Sequence, residues 1–85
     1  MFYYTYILLS LKDNKFYIGF STKVFERFDD HNKGKNTSTA KRGPFKLMYY
    51  EAFLSKTDAL RREAYFKTTK GKVTIRQMLR EYLKP

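Results

Sequence analysis

Two short runs near the start constrain the fold more than anything else in the chain. Tyr3–Ser10 (YYTYILLS) is rich in β-favouring residues, with Tyr4, Tyr6 and Leu8 on one face and Tyr3, Thr5, Ile7 and Leu9 on the other. Lys15–Phe20 (KFYIGF) repeats that composition, and Lys12-Asp13-Asn14-Lys15 between them supplies turn residues. The two runs predict an antiparallel hairpin. If Asp13-Asn14 forms its tip, opposed residue numbers sum to 27, and even positions of the first strand share a face with odd positions of the second. Tyr6 and Tyr17 then project from the same side. Gly19 carries no side chain on that side, which leaves the backbone open to approach. A three-residue bulged loop would reverse the parity.

Ser21-Thr22 offer an N-cap for a helix over Lys23–Asn32 that ends at Gly34, with Val24, Phe25 and Phe28 as its core stripe. Arg27 and His31 are four residues apart and border that stripe. They are either a surface arginine and a solvated histidine, or two polar groups aligned beside the tyrosines. Residues 33 to 44 (KGKNTSTAKRGP) hold no large apolar side chain and read as a mobile loop, its lysines and arginine able to contact phosphates. Phe45–Phe53 (FKLMYYEAF), opened by Pro44, is a third strand.

A helix is expected over Ser55–Thr69, where Ser55 and Asp58 have capping-box spacing. At about 100° per residue, Ala59, Leu60, Ala64 and Phe66 share one arc, while Arg61, Arg62 and Tyr65 lie outside it. Glu63 falls near the middle of that arc. A carboxylate on a core-facing stripe is costly unless it is paired with a base, holds a metal or acts as a catalytic acid. After Lys70-Gly71, a last helix is expected over Lys72–Leu83, with Ile75, Met78, Leu79, Tyr82 and Leu83 apolar and Arg76, Arg80 and Lys84 along one side.

The absence of Cys excludes a disulfide framework and a thiolate zinc site, and a single His makes zinc chemistry a poor fit. Eighteen Lys and Arg against eight Asp and Glu leave a formal charge of +10, which points to a polyanionic partner, nucleic acid foremost. Candidate phosphate contacts are Lys35, Lys41 and Arg42 in the loop, and Arg76 and Arg80 on the last helix. The first residues, MFYYTYILLSL, are apolar but short and lack a basic flank, so a buried strand is expected there rather than a signal peptide or membrane span. The expectation is one cytoplasmic α+β domain over residues 1–85, with elements in the order β-β-α-β-α-α and no small-molecule ligand.

Tyr4-Thr5-Tyr6, Tyr17-Ile18-Gly19, Arg27, His31 and Glu63, in this order and spacing, together resemble the GIY-YIG nuclease family. The runs KFYIGF, PFKLMYYEAF and ALRREAYFK are most similar to its small stand-alone bacterial branch, and the resemblance covers about residues 3 to 80. It implies a three-stranded antiparallel sheet flanked by helices, cleavage of DNA phosphodiester bonds, and one divalent ion, Mg²⁺ or Mn²⁺, per site. By position, the metal's glutamate corresponds to Glu63, the catalytic tyrosines to Tyr6 and Tyr17, and the catalytic arginine to Arg27. His31 matches a position where the family carries His or Tyr. Two departures stand out. Tyr-Thr replaces the Gly and Ile of the first motif, and Gln77 is the nearest amide to an Asn that many members place near the C-terminal helix.

These roles make chemical sense. Glu63 would hold the ion, Arg27 charge on the phosphate, Tyr17 would activate water, Tyr6 would position it, and His31 would relay or orient. The two tyrosine roles are exchangeable at this level. The rival reading is a non-catalytic module that grips nucleic acid with a basic surface and stacks bases on the tyrosines. Either way the partner is DNA, branched or damaged forms included, and a chain this small can take its specificity from a protein partner.

Overall fold

The computed structural model describes residues 1–37 and 39–85; Ser38, within the expected phosphate-contacting loop, lies outside the described residues. Strands β1 (Tyr3–Ser10), β2 (Phe16–Ser21) and β3 (Phe45–Phe53) form an antiparallel sheet in the order β2-β1-β3. Helix α1 (Val24–Asn32) follows the hairpin, and α2 (Lys56–Phe66), α3 (Thr69–Met78) and the single turn α4 (Arg80–Leu83) follow β3. This is the expected α+β architecture, with one correction at the end. The last helix is broken at Leu79.

β1 is the central strand, and its two faces build two cores. Tyr6 and Leu8 pack with Val24 of α1 and with Phe45, joined by Tyr4, Tyr17, Phe28 and Leu47. Ile7 packs on the opposite face with Ile18, Phe66 of α2 and Ile75 of α3. The helices therefore sandwich the sheet, which explains why β1 is buried from Thr5 to Ser10.

The hairpin tip is longer than the sequence implies. Tyr6 opposes Gly19 and Leu8 opposes Tyr17, so opposed numbers sum to 25 and the loop is Leu11–Asn14. Ser10 Oγ accepts the N–H groups of Lys12 and Asp13, each at 3.3 Å, and Asn14 adopts φ 58°. A two-residue shift leaves the parity intact, and Tyr6 and Tyr17 do share a face.

Three expectations about the helices fail for local reasons. Phe25 is 62% exposed, its ring set edge-on to Tyr50 instead of entering the core. α1 starts without a side-chain cap; Ser21 Oγ accepts Lys23 N–H instead. Gly71 does not break the chain but sits inside α3, where Thr68 Oγ1 caps its N–H. A Cβ at Gly71 would fall on Tyr65 O, so close passage of α2 against α3 requires glycine there.

Contacts at Thr39, Arg42 and Phe45 tie the segment before β3 to the rest of the fold. Asn32 brackets Phe45, accepting its N–H at 2.6 Å and donating to its carbonyl at 3.2 Å. Ser10 Oγ donates to Arg42 O at 2.6 Å, and Thr39 is fully buried. Among the described residues, no helix is long and apolar enough to cross a membrane.

Candidate active site

The hairpin parity brings Tyr6 and Tyr17 to the α1 face of the sheet, their ring centroids 6.5 Å apart. Gly19 opposes Tyr6, and the Tyr6 ring fills the space a side chain would take: a Cβ at Gly19 would fall on Tyr6 Cζ and Oη. The opening expected over Gly19 is therefore occupied from within. α1 brings His31 over both rings, with centroids 4.8 Å from Tyr17 and 6.0 Å from Tyr6.

A chain of hydrogen bonds runs through this cluster. Tyr6 Oη lies 2.9 Å from His31 Nε2, His31 Nδ1 lies 2.7 Å from Thr39 Oγ1, and Thr39 Oγ1 lies 3.4 Å from the carbonyl of Asn36. Carbonyl oxygen only accepts, so Thr39 donates to it and accepts from Nδ1–H, leaving Nε2 to accept from the Tyr6 hydroxyl. This direction requires a neutral imidazole and a protonated phenol. Both follow from the surroundings. Burial and the neighbouring Arg27 charge push His31 below its ordinary value, against a smaller opposing pull from Asp30. Burial, then the neighbouring Tyr17, raise Tyr6 to about 12, against the lowering influence of Arg27, with Glu63 adding a small upward push.

The Tyr6 hydroxyl is thus a point where all the other candidates are felt. Arg27 leaves α1 on the solvent side, exposed, beside Asp30, Lys35, Asn36 and Thr37. Glu63 belongs to α2, one turn after Ala59 and one turn before Phe66, and its side chain is 20% exposed. Lys67 Nζ is 3.3 Å from Glu63 Oε2. The helix is held to the sheet by Thr5, whose Oγ1 donates to Ala59 O at 2.6 Å. Thr5, one of the two residues that depart from the family's first motif, therefore anchors α2 one turn ahead of Glu63.

α2 is rotated from the arc that its periodicity implies. Leu60 and Ala64 are exposed, whereas Arg62 and Tyr65 are half-buried. Arg62 places its guanidinium 4.3 Å from the Phe66 ring centroid and pairs with both oxygens of Glu51, at 2.8 and 3.2 Å. Glu51 also accepts from Tyr49 Oη at 2.7 Å. This network locks α2 to β3 through the residue next to Glu63.

The expected phosphate contacts divide. Lys35 borders the Arg27 surface and pairs with Asp30 at 3.8 Å. Lys41 is exposed. Arg42 is engaged by Asp13 at 3.3 Å and lies 5.8 Å from the Phe45 ring centroid. Arg76 and Arg80 are on the far side of the sheet from His31; Arg80 Nη1 donates to Gln77 O, and Gln77 is exposed. Sequence reasoning misses Thr39 and Asn32, because nothing local marks a threonine or asparagine whose partner is eight or thirteen positions away.

Residues 2–77 match the GIY-YIG catalytic domain. The chain belongs to the GIY-YIG family. Its relatives include a UPF0213 protein of Limosilactobacillus reuteri, 48% identical over 76% of this chain and 70% of the relative. A UPF0213 protein of Streptococcus agalactiae is 45% identical over 84% of this chain and 83% of its own length. A UPF0213 protein of Bacillus halodurans, solved by NMR, matches with a TM-score of 0.57 and 37% identity, covering 92% of this chain and 85% of that one. The GIY-YIG fold and the nuclease superfamily are therefore established for this chain.

Proposed function

We propose that this GIY-YIG chain is a metal-dependent endonuclease hydrolysing DNA phosphodiester bonds, with residues 1–85 acting as one cytoplasmic domain. The observation that carries the reading is the state of the two tyrosines. Tyr6 is 1% exposed, and its hydroxyl is bound to a neutral His31. A ring enclosed in this way cannot stack on a base, as the binding-module alternative requires of it. Tyr17 is half-buried, its ring tilted 59° against His31, and Arg27, whose charge is felt at Tyr6, is exposed.

The donor set fits a lone Mg²⁺ or Mn²⁺. Among the described residues no group of three His, Cys, Asp or Glu side chains could hold a metal, so an all-protein cage is not on offer. Mg²⁺ keeps most of its waters and needs only one or two carboxylates, and Glu63 supplies one. Held there, a divalent ion would supply positive charge against the negative charge that builds on the phosphate and its leaving group. Lys67 occupies part of the carboxylate, but its side chain is 57% exposed and such a pair is weak enough to exchange.

The chain's own groups divide the remaining work. Arg27 grips the phosphate and holds the charge that builds on it, which its permanent charge and planar fork suit. Tyr17 acts as its phenolate, having given its own proton to solvent, and Oη then takes the proton of the attacking water. Tyr6 stays protonated, because burial raises its phenol to about 12, so it is not the group that takes the proton. It is a positioning residue that fixes the His31 ring, against which Tyr17 packs.

The test is nicking of a panel of DNA structures by the purified protein in Mg²⁺, with Glu63→Gln beside it. The amide fills the same space without holding the ion, so the rate should fall by about 10²-fold or more while affinity persists. An equally active Glu63→Gln would leave Glu63 as nothing more than the partner of Lys67.

A further inference from the structure

Three parts of the chain that look unrelated in sequence meet at the hairpin end of the molecule. Lys15 just before β2 and Phe16 at its start, Arg42 from the loop before β3, and Lys72 and Arg76 from α3 line one groove of about 640 Å³ together with Asp13. Asp13 is the only carboxylate among those lining residues, and Arg42 already occupies it at 3.3 Å. Among the described residues, Lys15, Lys72 and Arg76 have no acidic partner, whereas Lys33, Lys35, Arg61, Arg62, Lys67 and Lys84 each have one. Arg76 is held over Phe16, its guanidinium carbon 5.2 Å from the ring centroid. Lys12 and Lys41 add to the same end, joined by a bond from Lys12 Nζ to Lys41 O at 3.0 Å.

Like charges gathered without counter-charges repel one another, and a polyanion relieves that repulsion. The location fits the substrate named above. Phe16 and Tyr17 are consecutive on β2, an edge strand, and their side chains lie on opposite faces. The groove and the tyrosine site therefore lie on opposite faces of the same edge strand.

We propose that this groove binds the phosphate backbone of the DNA flanking the scissile bond, through Lys15, Lys72 and Arg76. The inference rests on the reading of the substrate as DNA, and it assigns the flank contacts to the α3 side of β2 as well as to Lys35 beside Arg27. Arg42 lines the same groove while paired with Asp13 at 3.3 Å, and its charge is left in place in the test.

The test compares two triple variants, each in a Glu63→Gln background and in EDTA so that nothing is cut. One carries Lys15→Gln, Lys72→Gln and Arg76→Gln, which keep side-chain bulk. The other removes the same charge elsewhere, at Lys56, Arg61 and Lys84. Affinity for a DNA duplex of about two helical turns is followed against salt. The slope of log affinity against log salt should flatten by about 0.9 for each phosphate no longer neutralised, so by about 2 to 3 in the groove variant and by less than about 1 in the control. Equal slopes for the two triples would overturn the proposal, as would a groove variant with the wild-type slope. With Glu63 restored, single-turnover cleavage at DNA well below saturation should fall with the lost affinity in the groove variant and hold in the control. Salt slopes as expected in a protein that cuts nothing would defeat the nuclease reading and leave the groove standing. Cleavage with unaltered slopes would do the reverse.

Discussion

Tyr6 Oη lies 2.9 Å from His31 Nε2, and that bond ties the central strand to α1 inside the core. Tyr6→Phe removes the donor and leaves a buried imidazole nitrogen without its partner, a loss of about 1–3 kcal/mol. For a domain this small, each kcal/mol lowers the melting temperature by about 4–8 °C, which calorimetry resolves. Thr39→Val strips the partner from the other nitrogen and should cost a similar amount. If Tyr6→Phe melts with the wild type, the bond contributes nothing to stability.

Gly19→Ala should be harmful out of proportion to a single methyl. The new Cβ would fall on Cζ and Oη of Tyr6, a ring packed on every side, and the ring cannot yield without losing His31. Overpacking of this kind costs about 1–3 kcal/mol. Gly43→Ala is the control, since nothing lies within 4 Å of a Cβ there. Denaturant titration of both variants should show a large shift at position 19 and a small one at 43. Equal shifts would mean that the ring has room to move.

Stability should fall as the solution is acidified below neutrality. The folded His31 has a lowered pKa, through burial and Arg27, so the unfolded chain takes up the proton first. The contribution is complete above the ordinary histidine value of about 6.5 and is lost as pH falls from there through the folded value. Urea unfolding at pH values between about 7.5 and 5.5 should show this slope in wild type, and His31→Gln should flatten it. A wild type with no slope across that window would contradict a buried, neutral His31.

The three strands and the hairpin parity follow from the period-two runs, because an error of two in register leaves every side chain on its face, whereas the order β2-β1-β3 is seen only in the structure. Phe25 and Leu60 show where that logic stops. Periodicity says which residues share an arc but not which arc meets the core, and α2 turns toward β3 because Glu51 waits there for Arg62. A planar guanidinium over Phe66 then provides the cover that periodicity assigns to Leu60. Glu63 stands out because it stays on the half-buried side of α2 between Ala59 and Phe66 even after the rotation, where a carboxylate is costly unless partnered. Thr39 and the Lys15, Lys72 and Arg76 groove carry no such mark, since each depends on tertiary contacts between segments far apart in sequence.

The central claim is that the tyrosine cluster is an active site rather than a stacking surface, and Tyr17 decides it most directly. Single-turnover cleavage and equilibrium DNA binding are measured for wild type, Tyr17→Phe and Tyr17→Ala, in Mg²⁺ and in EDTA. If Tyr17 Oη handles a proton, Tyr17→Phe keeps DNA affinity and loses about 10²-fold or more in rate. Arg27→Lys, which keeps the charge but not the fork, should likewise lose rate with little change in binding. If the ring instead stacks on bases, Tyr17→Phe changes nothing and Tyr17→Ala loses about 1–3 kcal/mol of affinity. A wild type that cuts no DNA in any metal, with binding altered by Tyr17→Ala alone, would contradict the account.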